Sequence, residues 1–153
     1  MSDESILARL QTEMVWCMKE KDAETLSTLR MLKTALMAAK TAKPRDAALT
    51  PEEEIEVLQR YVKNRRESIE VNAKVGRGEL IAAEEREIAV TRRFLPEPIS
   101  EAELQAIVQA AVVSPGAAGP KDMGKVIGAV MAQVKGRAEG GAVSKLVKQA
   151  LGI

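Results

Sequence analysis

The chain has 153 residues, 46% of them apolar but only 2% aromatic, and 23 basic against 22 acidic side chains leave a formal charge of +1. That length fits one compact domain or two small helical subdomains, and the near-neutral balance argues against a histone-like or strongly basic nucleic-acid protein. The absence of histidine removes the usual general base and the commonest zinc ligand, and a single cysteine, Cys17, excludes an internal disulfide and every CxxC metal or redox motif.

In chain order, the first expected helix runs from about Ser2 to Glu20, with Ile6, Leu7, Leu10, Met14, Cys17 and Met18 on one face. Trp16 reads as an anchor for helix packing, and Cys17 as a buried core residue with no partner for catalysis. Asp22 is placed to cap a second helix whose apolar stripe is Leu26, Leu29, Leu32, Leu36 and Ala39. Arg30 and Lys33 flank that stripe, where their stems can cover a neighbouring helix. Pro44 ends the element. Thr50-Pro51-Glu52-Glu53 then carries an N-cap threonine, proline at the first helical position and a glutamate set for a capping box. The acidic run Glu52-Glu53-Glu54 suits a helix N-terminus and is not read as a metal site. The third helix should bury Ile55, Leu58, Val62, Ile69 and Ala73 and stop at Gly76 and Gly78. A fourth, from about Glu79 to Phe94, relies on Leu80, Ile81, Ile88 and Leu95 before Leu95-Pro96-Glu97-Pro98 breaks it.

A subdomain boundary is expected here, dividing the chain into 1–95 and 96–153. Ser100-Glu101-Ala102-Glu103 offers a second capping box, followed by Leu104, Ile107, Val108, Ala111 and Val112. Residues Ser114 to Pro120 read as a loop, and Lys121 to Val134 as a helix with Met123, Val126, Ile127, Val130 and Met131 inward. After Gly136-Arg137-Ala138-Glu139-Gly140-Gly141, a last helix presents Val143, Leu146, Val147 and Ala150. No segment alternates apolar and polar residues as a strand would. The expected fold is all-α, with a longer helical N-terminal part followed by a compact three-helix C-terminal bundle.

Four stretches resemble the YqeY family: Leu26-Ser27-Thr28-Leu29-Arg30-Met31-Leu32-Lys33, Arg65-Arg66-Glu67-Ser68-Ile69-Glu70, Phe94-Leu95-Pro96-Glu97, and Lys121-Asp122-Met123-Gly124-Lys125-Val126-Ile127-Gly128. They lie in register over nearly the whole chain. Proteins of that family are similar to the C-terminal tail of the B subunit of glutamine-dependent aspartyl/glutamyl-tRNA amidotransferase, which helps hold tRNA while the chemistry occurs elsewhere. The resemblance implies a tRNA-associated helical module without a catalytic site. Its partners would be tRNA and an amidotransferase or another tRNA-handling protein. The family's glycine turn reads Gly-Arg-Ala-Asp-Gly followed by a basic residue, whereas here Glu139 and Gly141 stand at the last two differing positions.

Charge is unevenly spread. From Gly119 onward, Lys121, Lys125, Lys135, Arg137, Lys145 and Lys148 face only Asp122 and Glu139, six bases against two acids and a local +4. Lys121 and Lys125 are four apart, Lys145 and Lys148 three apart, so each pair is expected to share a helical face. On charge alone these are ordinary solvated faces; with the resemblance they become the candidate RNA-binding residues. A second basic patch, Arg60, Lys63, Arg65 and Arg66, is interleaved with Glu67 and Glu70 and reads as intrahelical ion pairing. No catalytic residue, metal site or cofactor is expected. A carbon–nitrogen ligase would need a P-loop or an amidase serine–serine–lysine set, and neither is in the sequence. A protein–protein interaction module remains the alternative, carried by the methionines and amphipathic helices. An acidic start and the lack of a long apolar run lead to the expectation of a cytoplasmic protein outside the membrane.

Overall fold

A computed structural model describes residues 4–45, 47–113 and 120–152. Among them are seven α-helices and no strand: α1 (Ile6–Glu20), α2 (Ala23–Thr41), α3 (Pro51–Lys74), α4 (Gly78–Arg92), α5 (Glu101–Val112), α6 (Met123–Val134) and α7 (Gly140–Leu151). The fold is all-α. The chain divides into two compact units between Leu95 and Pro96. Most of the expected loop at Ser114 to Pro120 lies outside the described residues; Pro120 opens a 3-10 turn, Pro120–Asp122, that leads into α6.

Local chemistry sets most helix ends. Ser5 caps α1 through a bond from the Ala8 amide at 3.1 Å, so the helix begins at Ile6 rather than near Ser2. Lys21 closes it in the left-handed conformation, φ 59°, and Asp22 at once caps α2 by accepting from the Thr25 amide at 3.2 Å. Only two residues separate the helices, so α1 and α2 form a tight hairpin. At α3 the capping box is complete: the Glu53 amide donates to the Thr50 hydroxyl and the Thr50 amide to the Glu53 carboxylate, both at 3.1 Å. Lys43 adds an ion pair to Glu53 at 2.5 Å. At α5 only half of the expected box forms. The Ser100 hydroxyl accepts from the Glu103 amide, while the Glu103 carboxylate lies 3.5 Å from the Arg137 guanidinium.

The first unit packs leucines. Leu10, Leu29, Leu32, Leu36 and Leu58 are fully buried with Phe94, each worth about 1.5–3 kcal/mol of apolar transfer, so this ladder dominates the stability of the unit. Cys17 is buried among them, and burial raises its thiol pKa. Four side chains lie elsewhere than the sequence reading put them. Met18, Ala73 and Leu80 are exposed, and so is Trp16, with 59% of its surface accessible. On α1 the stripe Ile6–Leu10–Cys17 faces α2, and Trp16 lies roughly 100° around the helix from it, too far to reach the core. The helix α4 ends at Arg92, two residues early, because the amides of Phe94 and Leu95 turn back onto the carbonyls of Thr91 and Arg92.

Among the described residues, one charged side chain is in the interior. Glu54 is 3% exposed, and its two oxygens accept from the amides of Ile6 at 3.1 Å and Leu7 at 2.9 Å. A carboxylate on α3 thereby satisfies the open amide end of α1, where the helix dipole also favours negative charge. The second unit has a different core, built from Leu104, Val108 and Ala111 of α5 against Val126, Val130 and Val134 of α6 and Val143 and Val147 of α7. Valine has modest helix propensity, so here packing overrides local preference.

Replacing Glu54 by alanine should destabilise the first unit by about 1–3 kcal/mol in urea unfolding, with Glu54→Gln losing less because one acceptor remains. Hydrogen bonding from Lys43 and Thr50 holds the Glu53 carboxyl below its ordinary value of 4.5. A depressed folded-state value means stability that is present above the unfolded value and lost as pH falls through the folded one. The unfolding midpoint should therefore drop on acidification below the ordinary carboxylate range, and Glu53→Gln should flatten that dependence.

Candidate nucleic-acid interface

The six basic residues singled out in the sequence all belong to the second unit, and all are exposed. Lys125 lies on the outer side of α6, opposite the valine stripe Val126–Val130–Val134. Gly124 and Gly128 flank it, and nothing stands within 4 Å of where their Cβ atoms would be, so this side of α6 is bare around the lysine. Lys121 sits in the 3-10 turn before α6, so the shared helical face expected for Lys121 and Lys125 is interrupted at Asp122. Lys145 and Lys148 are both within α7 and do share a side.

Lys135 and Arg137 occupy the turn between α6 and α7. Lys135 caps α6 in the left-handed conformation, φ 40°, followed by Gly136 at φ 85°. A lysine there carries the Cβ strain that glycine avoids. Arg137 differs from the lysines. Its Nε donates to the Glu97 carbonyl at 3.2 Å, its guanidinium lies 3.5 Å from Glu103, and its own carbonyl accepts from the Ile99 amide at 2.9 Å. It fastens the turn to the segment entering α5, with its side chain still 43% accessible. None of the five lysines is held in an ion pair among the described residues, whereas Arg137 is. The set is not one tight cluster, since Lys125 and Lys135 are ten residues apart and roughly 15 Å along the helix axis. At α7, Glu139 occupies the N-cap position without a side-chain cap bond.

The second basic patch lies on α3 in the first unit. Arg65 does not pair within its helix as expected; it stacks over the Tyr61 ring at 5.1 Å and approaches Glu87 of α4 at 3.6 Å. The α3–α4 packing, which spacing along one helix does not reveal, brings that carboxylate to it. Among the described residues no group of three or more carboxylate or thiol side chains is arranged to hold a metal ion.

The family model for Yqey-like protein matches residues 7–151, from α1 to the end of α7. The chain belongs to the Yqey-like family. It is also similar to the "Altered inheritance of mitochondria protein 41, mitochondrial" of Pyrenophora tritici-repentis (strain Pt-1C-BFP), at 30% identity over 153 residues, covering 96% of this chain and 81% of that protein. The Yqey-like match takes in both units and the basic residues of α6 and α7. No helix among the described residues is long and apolar enough to cross a membrane.

Because the backbone at Lys135 is left-handed, Lys135→Gly should stabilise the second unit by roughly 0.5–1 kcal/mol while removing one exposed charge. Thermal unfolding of the variant checks the gain.

Proposed function

We propose that this Yqey-like protein is a tRNA-associated binding module whose second unit contacts RNA, and that it acts beside an enzyme rather than as one. The observation that carries the reading is the set of exposed lysines around α6 and α7, none of them in an ion pair among the described residues, in a chain whose remainder is net acidic. Lysines with no carboxylate to neutralise them are the side chains that can release counterions from a phosphate backbone. Their spread along α6, the turn and α7 suits several phosphates along a strand, and shape rather than base sequence would be recognised. The resemblance to an amidotransferase tail supports tRNA as the RNA and an amidotransferase or another tRNA-handling protein as the neighbour. With few phosphates engaged, the intrinsic affinity is modest and falls with salt.

Arg137 is a poor test of this interface, because removing it also unfastens the turn from Glu97 and Glu103. Lys121, Lys125, Lys145 and Lys148 report on it more cleanly, since their exposed side chains lie outside the valine core and the ion pairs of the unit. In fluorescence anisotropy with labelled total tRNA across a salt series, the chain should bind more weakly as salt rises. Changing those four lysines to alanine should lower the salt slope by about one for each lysine that meets a phosphate. Equal binding and slope in the variant would remove RNA contact from this surface.

A further inference from the structure

The first unit carries a groove between α2 and α3 that neither the leucine core nor the lysines of the second unit use. Its α2 wall is formed by Ser27, Arg30, Met31, Thr34, Ala35 and Ala38. These positions follow the spacing i, i+3, i+4, i+7, i+8, i+11, the stripe a helix offers to another helix packed along it. The α3 wall is Val57, Arg60, Tyr61 and Asn64, and a second hollow sharing Ala35, Ala38 and Tyr61 continues the first without a break. Over twelve residues of α2 the groove runs roughly 18 Å, about three helical turns.

Three features say what suits it. The floor is made of alanines, Ala35, Ala38 and Ala39, which allow a partner backbone to come close. Met31 is exposed in the α2 wall, and methionine adapts to an incoming apolar surface. The charge is one-sided. Two bases line the hollows, Arg30 on the α2 wall and Arg60 on the α3 wall, and no acid is among the lining residues. The acids nearest Tyr61 come from α4 and are already engaged: Glu87 by Arg65, and Glu84 by Ser68 and Asn72. Burial, with Glu87 behind it, pushes the Tyr61 hydroxyl above its ordinary value, so it stays a neutral donor at the groove wall.

We propose that this groove docks an amphipathic helix of a partner protein, with apolar residues on its inner stripe and acidic residues along both flanks. An apolar floor with a basic rim is the complement of that helix. A polynucleotide would meet the rim charges but leave the methionine and alanine floor without an apolar partner. The site is separate from the RNA reading in both residues and unit, so either can fail alone.

The test uses the full chain and fluorescein-labelled designed peptides of about 18 residues, five helical turns, with leucine on the inner stripe and glutamate on the flanks. A twin peptide carries lysine in place of glutamate, and an oligouridylate of about ten nucleotides serves as the nucleic-acid probe. The glutamate peptide should bind and the lysine peptide should not. Binding should weaken by at least about tenfold in the exposed double variant Arg30→Glu/Arg60→Glu, and likewise in Ala38→Trp, which fills the floor without changing charge. Circular dichroism confirms that both variants remain helical. Binding by neither peptide, equal binding by both, indifference to either variant, or displacement of the glutamate peptide by oligouridylate would overturn the proposal. Loss of tRNA binding in the four-lysine variant with unchanged peptide binding separates the two surfaces.

Discussion

The first amides of any helix lack acceptors within it, and in α1 those of Ile6 and Leu7 face α3, where the Glu54 carboxylate receives both. The arrangement solves two problems together. A charge that is 3% exposed is costly unless it is hydrogen bonded, and a helix end turned inward is costly unless its amides are. Because each group answers the other, α1 is held at a defined place along α3, and the leucines of α1 and α2 then meet Leu58 in one layer. Around the same edge of the unit, Arg93 pairs with Glu13 at 2.8 Å and Arg9 lies over the Phe94 ring, tying α1 to the chain that leaves α4. Those outer contacts are solvent-exposed and individually weak, so the buried carboxylate has the larger part in orienting α1.

The two units solve their packing by different means. The first relies on leucine and one buried charge. The second has a valine core and no buried charged side chain among its described residues, and its polar tie, Arg137 to the Glu97 carbonyl and Glu103, lies at the surface. The difference shows in their basic residues. In the second unit the one arginine serves the fold, leaving the lysines to solvent. In the first, Arg65 serves the α3–α4 contact, while Arg30 and Arg60 line the groove.

The basic side chains of the second unit are dispersed over α6, the following turn and α7 rather than gathered in one cluster. On the reading proposed above, such surfaces suit a polyanion or an acidic helix. The Yqey-like family match runs through both units.

The sequence by itself determined the all-α class, the caps at Asp22, Thr50 and Ser100, the family and the uneven charge of the last third. Each rests on residues close together in the chain or on composition, and local hydrogen bonding and periodicity operate over those distances. Only the tertiary structure decided what depends on a second helix. Glu54 looked like one more acid in a helix's first turn until α1 was laid against it. Trp16 looked like an anchor because an aromatic usually is one, but its angle around α1 turns it outward. Arg65 seemed bound to its own helix until α4 supplied Glu87. Arg137, grouped with the lysines by charge, became a fastening of the α6–α7 turn once Glu97 and Glu103 came within its reach. For Glu54, Arg65 and Arg137 the deciding partner is many residues away, and spacing along one helix carries no information about which side chain another helix will bring.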